Sequence, residues 1–274
     1  MSRPYSQVDV FSPGPGLGNA LAVVADAEGL SDEVLHTFAR WTNLSETTFL
    51  LPPTDPDADY RVRILTPAGE LPFAGHPTLG TCSVWLARGG RPKGDEVVQE
   101  CGIGLVRIRR DGARLAFAAP PLRRSGDVDP ATLSRVASAL RLDPSVILAA
   151  AHVDNGPPWI AVRLRTREEV LAVQPDFAAM RDLDIGVFAP WEGGDAQFEV
   201  RAFAGSHQAE DPVTGSFNAG LAVWLIGAGL APAHYVASQG TVLQRRGRVY
   251  VDQEGDTIWI GGEVRTLIEG TLAL

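Results

Sequence analysis

Two segments of this chain repeat one design, and that repetition constrains the fold more than any other feature. Gly75-His76-Pro77-Thr78 opens an apolar helix bearing Val84-Trp85-Leu86, and Asp211-Pro212-Val213-Thr214-Gly215-Ser216 opens another bearing Val223-Trp224-Leu225. In each, a turn of Gly, Pro and small polar residues precedes the apolar stretch at nearly the same distance. The pattern implies two similar halves, each a curved sheet around one central helix. A chain of 274 residues is long enough for two domains of ordinary size. Pro120-Pro121 breaks the strand pattern and marks the expected boundary, with one domain over 1–120 and a second over 121–263.

The remaining elements follow from local patterning. Gln7 to Phe11 alternates like a strand, runs into the loop Ser12 to Asn19, and returns as Ala20 to Val24. Ser31 is placed to cap a helix with Asp32 and Glu33 in its first turn, Leu30 stapled onto Leu35, and Asn43 as its stop. Strands are expected at 47–51, 61–66, 97–100, 104–109, 114–118, 159–164, 185–189, 198–203, 249–251 and 257–260. Pro77 suits the first position of the helix that follows His76. Asp129-Pro130 starts a helix, Thr166 to Glu169 reads as a capping box, and an apolar helix runs from about Ser216 to Ala228.

The formal net charge of −9 argues against a nucleic-acid partner, because phosphate recognition needs a basic face. Leu221 to Leu230, the most apolar stretch, is too short to span a bilayer, and the N-terminus lacks the pattern of a secretion signal. Cys82 and Cys101 have neither metal-ligand nor disulfide-framework spacing, so two reduced thiols in a cytoplasmic protein are expected. No metal site and no cofactor are expected. Gly14-Pro15-Gly16-Leu17-Gly18 precedes a strand rather than a helix, which denies it the context of a dinucleotide fingerprint.

The chemistry-bearing residues gather at the two turns. Glu210-Asp211 places two carboxylates before a helix start where Gly215 lets a ligand approach the backbone and Ser216 adds a hydroxyl. The same residues also fit a plain helix start with Asp211 as N-cap and Pro212 at N1. His76 stands at the mouth of the other helix, beside Gly75, where an imidazole can orient a substrate or pass a proton. Glu46, at the entrance of an apolar strand, becomes a proton carrier if it faces a closed cleft and an ordinary strand-end carboxylate if it faces solvent. Asp9 and Asn19 are candidates for shaping the site.

Ser45-Glu46-Thr47-Thr48-Phe49, Pro72 to Gly80 and Glu210 to Ser216 resemble, in order and approximate spacing, three signatures of the phenazine-biosynthesis PhzF-like proteins. Val8-Asp9-Val10-Phe11 with Gly18-Asn19 resembles that family's start. The resemblance implies a mixed α/β fold of the diaminopimelate-epimerase type, with two pseudo-symmetric domains, each a barrel-like sheet around a central helix. It further implies a site between the domains, a C-terminal strand (about 264–274) returning to the first domain, and a homodimer. It implies a cofactor- and metal-independent isomerase that moves a proton on a small cyclic amino- or hydroxy-carboxylate. Glu46, His76 and Asp211 then form the catalytic group, and Gly75, Gly215, Ser216 and Asn19 bind substrate. Related epimerases and racemases use a thiol in each helix-start turn, whereas this chain has Ala74 and the Asp211-Pro212 step. Ala20 and the run Thr241 to Arg246 depart from the family pattern, so the substrate stays open. A non-catalytic ligand-binding member of the same fold, or an epimerase or racemase, is the alternative reading.

Overall fold

The computed structural model describes residues 2–205 and 208–274. The chain divides into two compact units, Met1–Ala118 with Gly261–Leu274 and Ala119–Ile260. The first contains β1 (Ser2–Val10), β2 (Asn19–Val24), α1 (Asp32–Thr42), β3 (Glu46–Leu51), β4 (Tyr60–Leu65), β5 (Glu70–Leu71), α2 (Gly75–Ala87), β6 (Val97–Cys101), β7 (Gly104–Asp111) and β8 (Arg114–Ala118). The second contains β9 (Arg124–Asp127), α3 (Pro130–Leu140), β10 (Ala149–Asp154), β11 (Trp159–Arg163), α4 (Arg167–Ala172), α5 (Phe177–Met180), β12 (Asp184–Pro190), β13 (Phe198–Ala204), β14 (Ala209–Asp211), α6 (Gly215–Gly227), β15 (His234–Gln239) and β16 (Gly247–Glu254). The last strand, β17 (Thr257–Ala273), starts in the second unit and ends in the first.

In the first unit β1 pairs antiparallel with β2, β2 parallel with β3, and β3 antiparallel with β4. β4 pairs parallel with β6 and carries β5 as a short hairpin arm. β6, β7 and β8 continue antiparallel, β8 meets β17, and β17 returns antiparallel to β1 from Ser2↔Ala273 to Val10↔Val264. Every strand of this circuit has a neighbour on both sides, so the sheet closes on itself and leaves no edge in the circuit. The barrel is filled by α2, which packs on β1, β2, β3, β6 and β8.

The second unit repeats this order. β10, β11, β12 and β13 pair antiparallel, parallel and antiparallel in turn. β14 is the hairpin arm on β13, β13 pairs parallel with β15, and β15 pairs antiparallel with β16. Its central helix α6 has the same 13-residue length as α2. The repeated turn in the sequence is thus the trace of a duplicated βα unit.

Both central helices are buried nearly all round over their first eight residues. A helix enclosed by a curved sheet has no solvent side, which is why neither shows an amphipathic stripe. Each carries a glycine where a strand crosses it closely. A Cβ on Gly80 would lie 2.5 Å from Leu21 Cδ2, and one on Gly220 would lie 2.3 Å from the Val153 carbonyl oxygen.

The outer helices follow their local signals. Ser31 caps α1 and Asn43 ends it in the left-handed conformation, Asp129 caps α3, and Thr166 with Glu169 forms a capping box on α4. Leu30 packs with Leu35 in the cluster under α1. Three expectations shift. Pro77 is the third residue of α2, not the first, because Gly75 already has helical geometry. Asp211 belongs to β14 and is not an N-cap; Thr214 holds that position. β9, β10 and β15 are strands that the sequence pattern does not announce, and β17 is far longer than Thr257 to Ile260. Ala149-Ala150-Ala151 has little intrinsic strand preference, but pairing with β11 imposes the extended form on all three.

Candidate active site

In the first unit three expected residues meet. Asn19 begins β2, Glu46 begins β3, and His76 lies in the first turn of α2. Parallel pairing with Leu21 opposite Glu46 puts both strand starts at one end of the barrel. His76 Nδ1 lies 3.3 Å from Asn19 Nδ2, and His76 Nε2 lies 3.3 Å from Glu46 Oε2. An amide NH2 can only donate, so Nδ1 accepts and the ring proton resides on Nε2, close to the carboxylate but outside hydrogen-bond geometry. The imidazole is 3% exposed and the Glu46 side chain 14%.

Burial pushes the His76 pKa down to about 3. The positive end of α2 acts in the same direction, while a charged Glu46 would act against it. The Asn19 contact decides between them, because a protonated Nδ1 would face another donor. His76 is therefore assigned as a neutral ring.

The loop that delivers Asn19 is held by Asp9. Its Oδ1 accepts from Gly18 N–H at 3.0 Å and its Oδ2 from Ser12 Oγ at 2.6 Å. A Cβ on Gly18 would come within 2.1 Å of the Val10 carbonyl oxygen, so only glycine fits there.

In the second unit Asp211, Thr214, Gly215 and Ser216 form one turn. Thr214 Oγ1 donates to Asp211 Oδ2 at 2.6 Å. Ser216 Oγ accepts from Trp159 Nε1 at 3.1 Å, and its carbonyl accepts from Asn155 Nδ2 at 2.8 Å. The neighbouring Glu210 is engaged elsewhere, in a two-pronged pair with buried Arg201 at 2.9 and 2.8 Å. Of the paired carboxylates in the motif, Asp211 is the one at the helix start.

The two central helices differ from the rest at their N-termini. Among the described residues α1, α3, α4 and α5 each begin with a side-chain cap, whereas α2 and α6 have none. Ala74 has no group to offer, and the Thr214 hydroxyl is directed to Asp211. A helix start buried without a side-chain cap is suited to a ligand anion.

Sequence reading missed Gln239, Asn155 and Trp159, which brace the α6 turn. One signal could have found Gln239: it lies as far beyond Gly215 as Gln99 lies beyond Gly75. Neither thiol lies in either turn. Cys82 is fully buried in α2 with its pKa pushed up to about 12 by desolvation, and Cys101 on β6 is also raised, chiefly by burial. Among the described residues no group of three or more His, Cys, Asp or Glu side chains could hold a metal ion. No described helix is long and apolar enough to cross a membrane.

A family model described as "Phenazine biosynthesis-like protein" (PhzC-PhzF) matches residues 8–271. The chain is 36% identical to antisense-enhancing sequence 1 of Schizosaccharomyces pombe, covering 97% of each. It is 34% identical to the trans-2,3-dihydro-3-hydroxyanthranilate isomerase of Pseudomonas aeruginosa, over 92% of this chain and 90% of that one. A PhzF-family crystal structure from Enterococcus faecalis superposes with a TM-score of 0.80 at 27% identity, covering 100% of both chains. The architecture is of the diaminopimelate-epimerase type.

Proposed function

The chain belongs to the PhzC-PhzF family of phenazine-biosynthesis-like proteins, and from that premise we propose that it is a general acid/base isomerase acting on a small cyclic amino- or hydroxy-carboxylate. Several relatives are named isomerases, which supports the reaction class. The observation that carries the reading is the Asn19–His76–Glu46 array, a carboxylate at a barrel mouth with a neutral imidazole N–H beside it.

Glu46 removes a proton from one substrate carbon and returns it to another while the double bond moves between them. One C–H bond breaks, one forms, and no electrons are gained or lost, so no electron carrier enters. His76 keeps its proton on Nε2, near Glu46, and lines the carboxylate's pocket without changing charge. In the second unit, the first-turn amides of α6 with Gly215 and Ser216 are suited to a carboxylate, and Asp211 to an amino or hydroxyl group. Gly75 plays the corresponding part at α2. A two-thiol racemase is disfavoured, because a buried thiol with its pKa near 12 supplies almost no thiolate.

The test is proton exchange in D2O. Purified protein is incubated with trans-2,3-dihydro-3-hydroxyanthranilate, the compound named for the Pseudomonas relative, and with a panel of cyclic amino- and hydroxy-acids. Uptake of deuterium at carbon by at least one probe is expected. Binding without exchange across the panel would instead make the chain a non-catalytic ligand-binding protein.

A further inference from the structure

Gln239, at the end of β15, makes four hydrogen bonds to the α6 turn. Its Oε1 accepts from Thr214 N–H at 3.0 Å and from Asn218 Nδ2 at 2.9 Å. Its Nε2 donates to the Asp211 carbonyl at 3.0 Å and to Thr214 Oγ1 at 2.9 Å. Two backbone groups, a donor on Thr214 and an acceptor on Asp211, fix which way the amide points, so its orientation follows from chemistry.

That orientation has a consequence for a proton. Thr214 Oγ1 already accepts from Gln239, so its single hydrogen is directed to Asp211 Oδ2, 2.6 Å away. We infer that Gln239 is a positioning residue for Asp211: through Thr214 it sets a one-way chain of hydrogen bonds that holds the carboxylate as an acceptor in one orientation. Resting on the isomerase reading, this assigns Gln239 and Thr214 a part in that reaction without contact with the substrate.

The duplicated unit provides an internal control. Gln99 occupies the equivalent place on β6 and also braces its central helix, donating to Thr78 Oγ1 at 3.0 Å while its Oε1 accepts from Tyr60 at 3.0 Å. The residue matching Thr214 there is Ala74, which has no hydroxyl. Bracing a helix start therefore accounts for a glutamine in both units. Only the second unit extends the brace through an N-cap threonine to a carboxylate, and Gln239 is fully buried in doing so.

The experiment uses the full chain with Thr214→Val, Thr214→Ser, Gln239→Leu and Gln239→Glu, each checked for its melting transition. Thr214→Val removes one hydrogen bond to a charged group and should lower kcat by roughly ten- to hundred-fold with KM little changed; Gln239→Leu, which frees Thr214 by removing the bonds that orient it, should lower kcat as well. Thr214→Ser should restore the rate. Gln239→Glu keeps the size but loses the donor, and should behave as Gln239→Leu. The relay is also read without turnover, from the 13Cγ resonance of Asp211 at fixed pH. That resonance should move in Thr214→Val and Gln239→Leu and return in Thr214→Ser. An unmoved Asp211 resonance in folded Gln239→Leu overturns the inference even if the enzyme is active. Absence of exchange in the wild type would instead sink the isomerase reading, while the resonance still decides the relay.

Discussion

An imidazole at the start of a buried helix meets two costs when it gains a proton, lost hydration and the helix dipole. Burial pushes the His76 pKa from the ordinary 6.5 to about 3. Between those values the unfolded chain holds a proton that the folded chain lacks, so stability rises with pH across that window and falls on acidification. A tenfold change in proton affinity corresponds to about 1.4 kcal/mol, so the contribution is at most several kcal/mol. His76→Gln should therefore lose stability less steeply than the wild type from pH 6.5 toward pH 3, measured by urea midpoints at each pH. Parallel slopes would mean that His76 titrates normally. The His76 and Glu46 positions are visible in the sequence because their motifs are contiguous. Their approach is not, since it depends on α2 packing against β3 inside the barrel.

At the scale of an element, α6 contains a matched pair of tests. A Cβ on Gly220 would press on the Val153 carbonyl oxygen at 2.3 Å, whereas one on Gly227 meets nothing within 4 Å. Gly220→Ala should destabilise by about 1–3 kcal/mol, and Gly227→Ala should stabilise by roughly 0.5–1 kcal/mol, read from denaturant midpoints. Equal effects would contradict the close packing of α6 on β10. On α4, Thr166→Ala should cost about 1 kcal/mol by loss of the cap. The capped helices α1, α3 and α4 are legible in the sequence because a cap is written within four residues, whereas the single turn α5 is not, although Asp176 caps it. The alanine-rich β10 is not, because its extended form comes from neighbours distant in the chain. Gln239 escapes for a related reason: its role appears only when β15 is set beside the α6 turn.

For the whole molecule, two similar halves are legible in the repeated turns, and the matching pairing order of β1–β7 and β10–β16 gives that repeat its structural meaning. Closure of the first barrel is less legible, since it depends on pairing between the two ends of the chain. Deleting residues 264–274 removes the partner of β1 along its length, together with Leu272 and Leu274, which pack on the cluster under α1. That variant should lose soluble yield and cooperative melting; melting like the wild type would contradict the closed circuit. The central claim is that Glu46 carries the proton. It is tested by comparing wild type with Glu46→Gln in D2O, using a probe that the wild type exchanges. With the fold confirmed by circular dichroism, deuterium uptake should fall by about 100-fold or more in the variant, as expected for loss of a general acid/base. Unchanged uptake in folded Glu46→Gln would remove Glu46 from the mechanism.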